Sequence, residues 1–125
     1  IVKFNPTIIF NFSAQGMVAE SWKNPDHWFK TNIVSQSKFV NFLQKNLKIR
    51  KYIQFTTPEV YGSTNKKIKE SFEFNPSTPY ANSRACTDHH LRLLGDIYKF
   101  PIIFTRASNV FGSCQQLYRI SFNAI

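Results

Sequence analysis

Three short apolar runs recur along the chain, and the stretches between them carry apolar residues at helical spacing. The first run is Thr7-Ile8-Ile9-Phe10-Asn11-Phe12-Ser13, the second Tyr52-Ile53-Gln54-Phe55-Thr56-Thr57, the third Pro101-Ile102-Ile103-Phe104-Thr105-Arg106. Each reads as a strand. Between the first two, Phe29, Ile33, Val40, Leu43 and Leu47 follow one another at steps of 4, 7, 3 and 4, which is one face of a helix spanning about His27 to Lys48. Ahead of the third, Ser77-Thr78-Pro79 offers a hydroxyl cap and a proline for a first helical turn. Leu93, Leu94 and Ile97 are expected to mark that helix's buried side. Crossovers of this length join parallel strands, so the alternation predicts an α/β fold with a parallel sheet. No repeat or low-complexity segment interrupts it.

Charge narrows the partners. Sixteen Lys and Arg against seven Asp and Glu give a formal net charge of +9. A polyanion partner such as nucleic acid would suit that balance. The basic residues are scattered, however, with short clusters at Lys48, Arg50 and Lys51 and at Lys66, Lys67 and Lys69, and no nucleic-acid-binding motif accompanies them. A solvated surface is the simpler account, and no nucleic-acid partner is expected. A phosphate-bearing small molecule suits the charge as well. No apolar stretch reaches the roughly 18 residues that a membrane helix needs. Cys86 and Cys114 make neither a disulfide framework nor a metal-ligand spacing. A reduced, cytoplasmic setting and no metal are therefore expected.

Small and polar residues gather after all three runs: Ser13-Ala14-Gln15-Gly16, Thr57-Pro58-Glu59-Val60-Tyr61-Gly62 and Ser108-Asn109-Val110-Phe111-Gly112. In an open parallel sheet these ends share one edge, where loops splay into a ligand crevice. Tyr80 and Arg84 lie one helical turn apart on one face. A permanent cation beside a phenol favours the phenolate, lowering its pKa from about 10 and fitting it for general base or acid work. On spacing alone a surface Tyr beside a surface Arg is the better account, since such i,i+4 pairs are common.

Five motifs in series lift the pair out of that ambiguity. Asn11-Phe12-Ser13-Ala14-Gln15, the pairs Asn24-Pro25 and Thr31-Asn32, Thr56-Thr57-Pro58-Glu59-Val60-Tyr61-Gly62, Ser77-Thr78-Pro79-Tyr80-Ala81-Asn82-Ser83-Arg84-Ala85 and Thr105-Arg106-Ala107-Ser108-Asn109-Val110-Phe111-Gly112 occur in that order. Together they resemble the extended short-chain dehydrogenase/reductase family of nucleotide-sugar enzymes, most of all its hexose 4,6-dehydratases of the dTDP-glucose type. The resemblance implies a Rossmann-like, doubly wound parallel sheet and a tightly held NAD. Tyr80 would then take the proton of the sugar's C4 hydroxyl, Thr57 would hydrogen-bond the same oxygen, and Arg84 would stand at the family's lysine. Glu59 would remove the C5 proton before water leaves from C6. Ser13, Ala14, Thr31 and Ser108, with Tyr80 and Arg84, would line the cofactor. Gln15, Thr57 and Asn109 would meet the nucleotide-sugar substrate.

Three departures qualify that reading. Arg84 replaces lysine, keeping the charge but unable to relay a proton. Pro58 stands where the dehydratases carry an aspartic acid that protonates the leaving hydroxyl. Ser113 replaces a proline. The four glycines, Gly16, Gly62, Gly95 and Gly112, cannot form a G-x-x-G-x-x-G phosphate loop. Residues 1–125 are accordingly read as a partial NAD-binding domain, an internal fragment of a longer homodimeric protein. Such a fragment should expose apolar sheet faces and, isolated, neither bind NAD tightly nor turn over. A 4-epimerase or uronate decarboxylase of the same family, an inactive remnant, and a basic nucleic-acid-binding module remain alternatives. Gln115-Gln116 after the Asn109 loop favours the dehydratase. Asp88 and Arg92 are expected as a solvated surface pair, Cys86 as a packing residue, and Trp22 and Trp28 as core or interface aromatics.

Overall fold

The computed structural model describes residues 1–110, 112 and 113. Cys114, Gln115 and Gln116, like Phe111, lie outside the described residues. The three expected strands are present: β1 (Ile8–Asn11), β2 (Lys51–Thr56) and β3 (Ile102–Arg106). All pair in parallel in the order β1-β2-β3. The register sets Ile9 beside Tyr52 and Tyr52 beside Ile102.

The first crossover is one helical rod in three parts, α1 (Pro25–Trp28), a π-helical stretch (Phe29–Ser35) and α2 (Gln36–Asn46). Pro25 opens it where a missing N–H costs nothing. The π turn has identifiable causes: the Ser35 hydroxyl donates to the Lys30 carbonyl at 3.0 Å, and the Thr87 hydroxyl donates to the Asn32 carbonyl. Side chains thus take carbonyls that the regular ladder would use. The second crossover runs through a 3₁₀ turn (Pro58–Tyr61), a long loop and α3 (Pro79–Tyr98). Thr78 caps α3 as expected, its Oγ1 accepting from the Ala81 N–H at 3.1 Å. Two glycines permit close approaches. Gly62 has φ +72°, and a Cβ there would lie 2.2 Å from the Asn75 carbonyl oxygen. At Gly95, a Cβ would sit 3.3 Å from Ile102, so α3 can press onto β3.

Both crossovers cover the same face of the sheet, as right-handed connections must when strands are added in one direction. Val40 and Leu43 of α2 and Leu91 of α3 pack there on Tyr52 and Phe100, flanked by Ile9, Ile102 and Phe104. On the opposite face Ile8, Phe10 and Ile103, with Phe12 just beyond β1, stay exposed, Phe10 at 62%. The expected open apolar face is therefore present, formed by four large side chains.

The reading of α3 needs correction. Leu93 and Ile97 are exposed, and Leu94 is half-buried. The buried residues are Ala81, Ser83, Arg84, Ala85, Thr87, Asp88 and Leu91. Small side chains let α3 lie tight against the first rod and the strand ends. Leu93 and Ile97 fall on the far side, while Leu91 alone of its large apolar residues is fully buried.

Candidate active site

Because the strands are parallel, the three polar loops meet at one edge. The loop after β1 is held by buried amides. Asn11 Oδ1 accepts from the Ser13 N–H at 3.1 Å and from the Ser13 hydroxyl at 2.6 Å. Gln36 Nε2 donates to the Ser13 carbonyl and hydroxyl at 2.9 and 2.8 Å. Asn11 Nδ2 in turn is shared among Gln36, Tyr52 and Gln54 at 2.7–3.0 Å. The Ser13 hydroxyl thus has protein partners on both sides. Burial pushes the Tyr52 phenol well above its ordinary range, against smaller opposing effects of the Asn11 hydrogen bond and the Arg84 charge.

Asn32, fully buried, clamps the next residues. Its Oδ1 accepts from the Gln15 N–H at 2.8 Å, and its Nδ2 donates to the Gln15 carbonyl at 3.1 Å and the Ser83 hydroxyl at 2.9 Å. Thr31 donates to Gln15 Oε1 at 3.1 Å, so two expected site residues, one for cofactor and one for substrate, touch each other. Ala14 is exposed beside them. Ser21 completes the attachment: its Oγ accepts from the Tyr80 N–H at 3.1 Å and donates to the Val18 carbonyl at 2.6 Å. Tyr80 is thereby fixed in the first turn of α3, half-buried.

At the end of β2, Thr57 is extended and caps the 3₁₀ turn, its Oγ1 accepting from the Glu59 N–H at 3.3 Å. One lone pair is used, and the hydroxyl proton stays available to a ligand oxygen. Thr57 itself is buried and Glu59 exposed. Ser108 and Asn109 are exposed beyond β3.

Arg84 takes a different position from the one spacing suggested. Only 2% exposed, it donates through Nη2 to the Phe55 carbonyl near the end of β2, and no hydrogen bond joins it to Tyr80 among the described residues. Its Nε and Nη1 have no hydrogen-bond partner among the described residues. Its charge bears on Tyr52 and on Asp88.

Asp88 also departs from expectation. It is fully buried, and its Oδ2 accepts from the Thr56 hydroxyl at 2.7 Å and from Arg106 Nη2 at 3.2 Å. Arg92 pairs with Asp96 instead, at 3.6 Å. The i,i+4 spacing suggested Arg92 as partner, but the helix turns Asp88 into the sheet edge. Desolvation raises the Asp88 carboxyl above the usual range. Thr56, Arg106, Arg84 and His89 oppose that shift without cancelling it. Arg106 lies over the rings of Tyr61, Phe72, Phe74 and Phe104, with centroids 5.0–5.7 Å away. His89 stacks on Phe74 at 4.7 Å, so the loop before α3 is fastened to the helix.

Asn11, Ser21, Asn32, Gln36, Ser83 and Asp88 are therefore site-building residues to which sequence reasoning assigned no such role. Only Asn11, Asn32 and Ser83 carried a signal, as members of quoted motifs. Cys86, expected to pack, is exposed. Trp28 is buried and donates to the Gly16 carbonyl at 2.7 Å, whereas Trp22 is exposed. Among the described residues no helix is long and apolar enough to cross a membrane, and no group of three potential metal ligands occurs.

Known proteins resemble this chain in sequence and fold. The family described as GDP-mannose 4,6 dehydratase matches residues 1–121. The dTDP-D-glucose 4,6-dehydratase of Homo sapiens is 33% identical over 109 residues, covering 86% of this chain and 31% of that protein. The structure of UDP-N-acetylglucosamine 4-epimerase from Methanobrevibacter ruminantium M1, in complex with UDP-N-acetylmuramic acid, superposes with a TM-score of 0.82 at 29% identity, over 90% of this chain and 36% of that one. The dTDP-glucose 4,6-dehydratase DesIV of Streptomyces venezuelae, with NAD and TYD bound, gives 0.85 at 25% identity, over 93% and 36%. The chain thus spans about a third of the length of such relatives. With a matching family model along nearly its whole length and a Rossmann-like parallel sheet at its centre, the chain belongs to the GDP-mannose 4,6 dehydratase family.

Proposed function

We propose that the chain is the central part of an NAD-dependent nucleotide-sugar 4,6-dehydratase of the dTDP-glucose type. The observation that carries this reading is the shared edge: Thr57 with a free hydroxyl proton, Glu59, and Tyr80 anchored through Ser21. Two buried, unpartnered guanidinium nitrogens of Arg84 fit a group bearing hydroxyl oxygens, as a nicotinamide ribose does. In this reading Ala14, Thr31 and Ser108 contact the cofactor, while the Ser13 hydroxyl, bonded on both sides, shapes the loop. When bound, NAD supplies the redox chemistry, taking hydride from C4 and returning it to C6.

The chain's own groups do the rest. Tyr80 accepts the C4 hydroxyl proton, and Thr57 donates to the same oxygen and holds it in line. Glu59 removes the acidified C5 proton. Gln15 and Asn109 orient the nucleotide sugar in this reading. Pro58 has no proton to give the departing C6 hydroxyl, so Glu59, once protonated, is the group left to supply it. That same proline favours a second reading, 4-epimerisation, which needs no leaving-group acid.

A panel of dTDP- and UDP-sugars, offered to the longest product of the gene and analysed by mass spectrometry, separates the readings. Loss of one water supports dehydration. An isomer of unchanged mass supports epimerisation. Tyr80→Phe should lower kcat by about 10³-fold, the scale of lost general-base catalysis. Residues 1–125 alone should neither turn over nor hold NAD.

A further inference from the structure

The edge opposite the candidate site, where the strands begin, holds a cleft of about 710 Å³ between the C-terminal ends of α2 and α3. Ile49 and Pro101, just ahead of β2 and β3, mark its place. Four lysines line it, Lys38, Lys45, Lys48 and Lys99, and no carboxylate does among the described residues. Asp96, near the end of α3, pairs with Arg92, and its backbone carbonyl accepts from Lys99 Nζ at 2.8 Å. Two helix ends contribute roughly half a negative charge each, about −1 together, against four ammonium groups. The helix dipoles therefore explain part of this clustering and leave a positive excess of about three charges. Leu94, Phe100 and the ring of Tyr98 form an apolar wall beside the lysines. A cleft of this size falls within the range of small-molecule sites, and its lining combines anion-seeking groups with a surface for an organic moiety.

We propose that this cleft binds a small molecule carrying a pyrophosphate group, at a site separate from the strand-end edge. The proposal does not rest on the dehydratase reading and would survive its failure. Inorganic pyrophosphate is the probe, titrated into the ¹⁵N-labelled longest product of the gene at low and high salt. Amide shifts should centre on residues 38–48 and 94–101 and fade as salt screens the lysines. Lys45→Glu/Lys48→Glu should weaken binding about tenfold. Lys66→Glu/Lys67→Glu, the same charge reversal in the loop before α3, should leave it unchanged. Lys45→Gln/Lys48→Gln, paired with a melting curve in pyrophosphate, guards against misfolding of the reversed variant: the parent's melting temperature should rise with pyrophosphate and the variant's should not. Equal weakening by both reversals, shifts centred on the strand-end edge, or no shifts because two copies close over the cleft would each overturn the proposal.

Discussion

The loop after β1 and the charged cluster at the ends of β2 and β3 are both built from buried polar side chains, yet only one is complete. Around the first, Asn11, Ser13, Gln36 and Asn32 find protein partners at 2.6–3.1 Å. Around the second, Arg84 Nε and Nη1, Asp88 Oδ1 and Arg106 Nε have none among the described residues. Unmade hydrogen bonds in an interior are costly, so a cluster that leaves four bare is either waiting for a partner or sustained by the rest of the fold. The amide loop is scaffold. The guanidinium cluster is where the chain has donors to offer.

Removing the cluster's one carboxylate tests this contrast most severely. Asp88→Ala leaves two guanidinium groups without their counter-charge and should destabilise by about 3 kcal/mol in a denaturant melt. The pH dependence has a definite sign. A carboxyl raised by burial holds its proton more tightly folded than unfolded, so its contribution is greatest in acid. It declines as pH rises from the ordinary value near 3.9 through the raised one. Asp88→Asn should remove that decline, and a stability curve still falling over the same interval would contradict the assignment.

On the scaffold side the expected losses are smaller. Asn32→Ala breaks two bonds to Gln15 and one to Ser83, worth about 2 kcal/mol together in thermal unfolding. Thr78→Ala removes the α3 cap at about 1 kcal/mol. Smallest of all, Ile97→Gln should change stability by less than about 0.5 kcal/mol, since that side chain is 66% exposed. A large loss there would restore the helix face that apolar spacing suggested.

Ile97 shows why part of the fold could not be read from residue types. Spacing located the strands, the first helical rod and the Thr78 cap, because those depend on local periodicity and local hydrogen bonds. The buried face of α3 depends on how closely the helix approaches its neighbours, and Ala81, Ser83 and Ala85 carry no apolar signal comparable to Leu93. Asn11, Gln36 and Gln54 escaped for a related reason: amides are usually outside, and only tertiary pairing makes them interior. For the site, serial motifs brought Thr57, Glu59 and Tyr80 to one edge. They could not say that Arg84 turns to the Phe55 carbonyl, or that Asp88 reaches across to Arg106 instead of along its own helix to Arg92.

The proposed contact of Arg84 with NAD is the point on which the functional account turns, and NAD affinity of the longest gene product measures it directly. Arg84→Lys, which keeps a donor and a charge, should bind NAD within a few-fold of the parent, while Arg84→Met should bind it about tenfold more weakly, the worth of one hydrogen bond to a charged group. NAD binding by Arg84→Met as tight as the parent's would contradict the account.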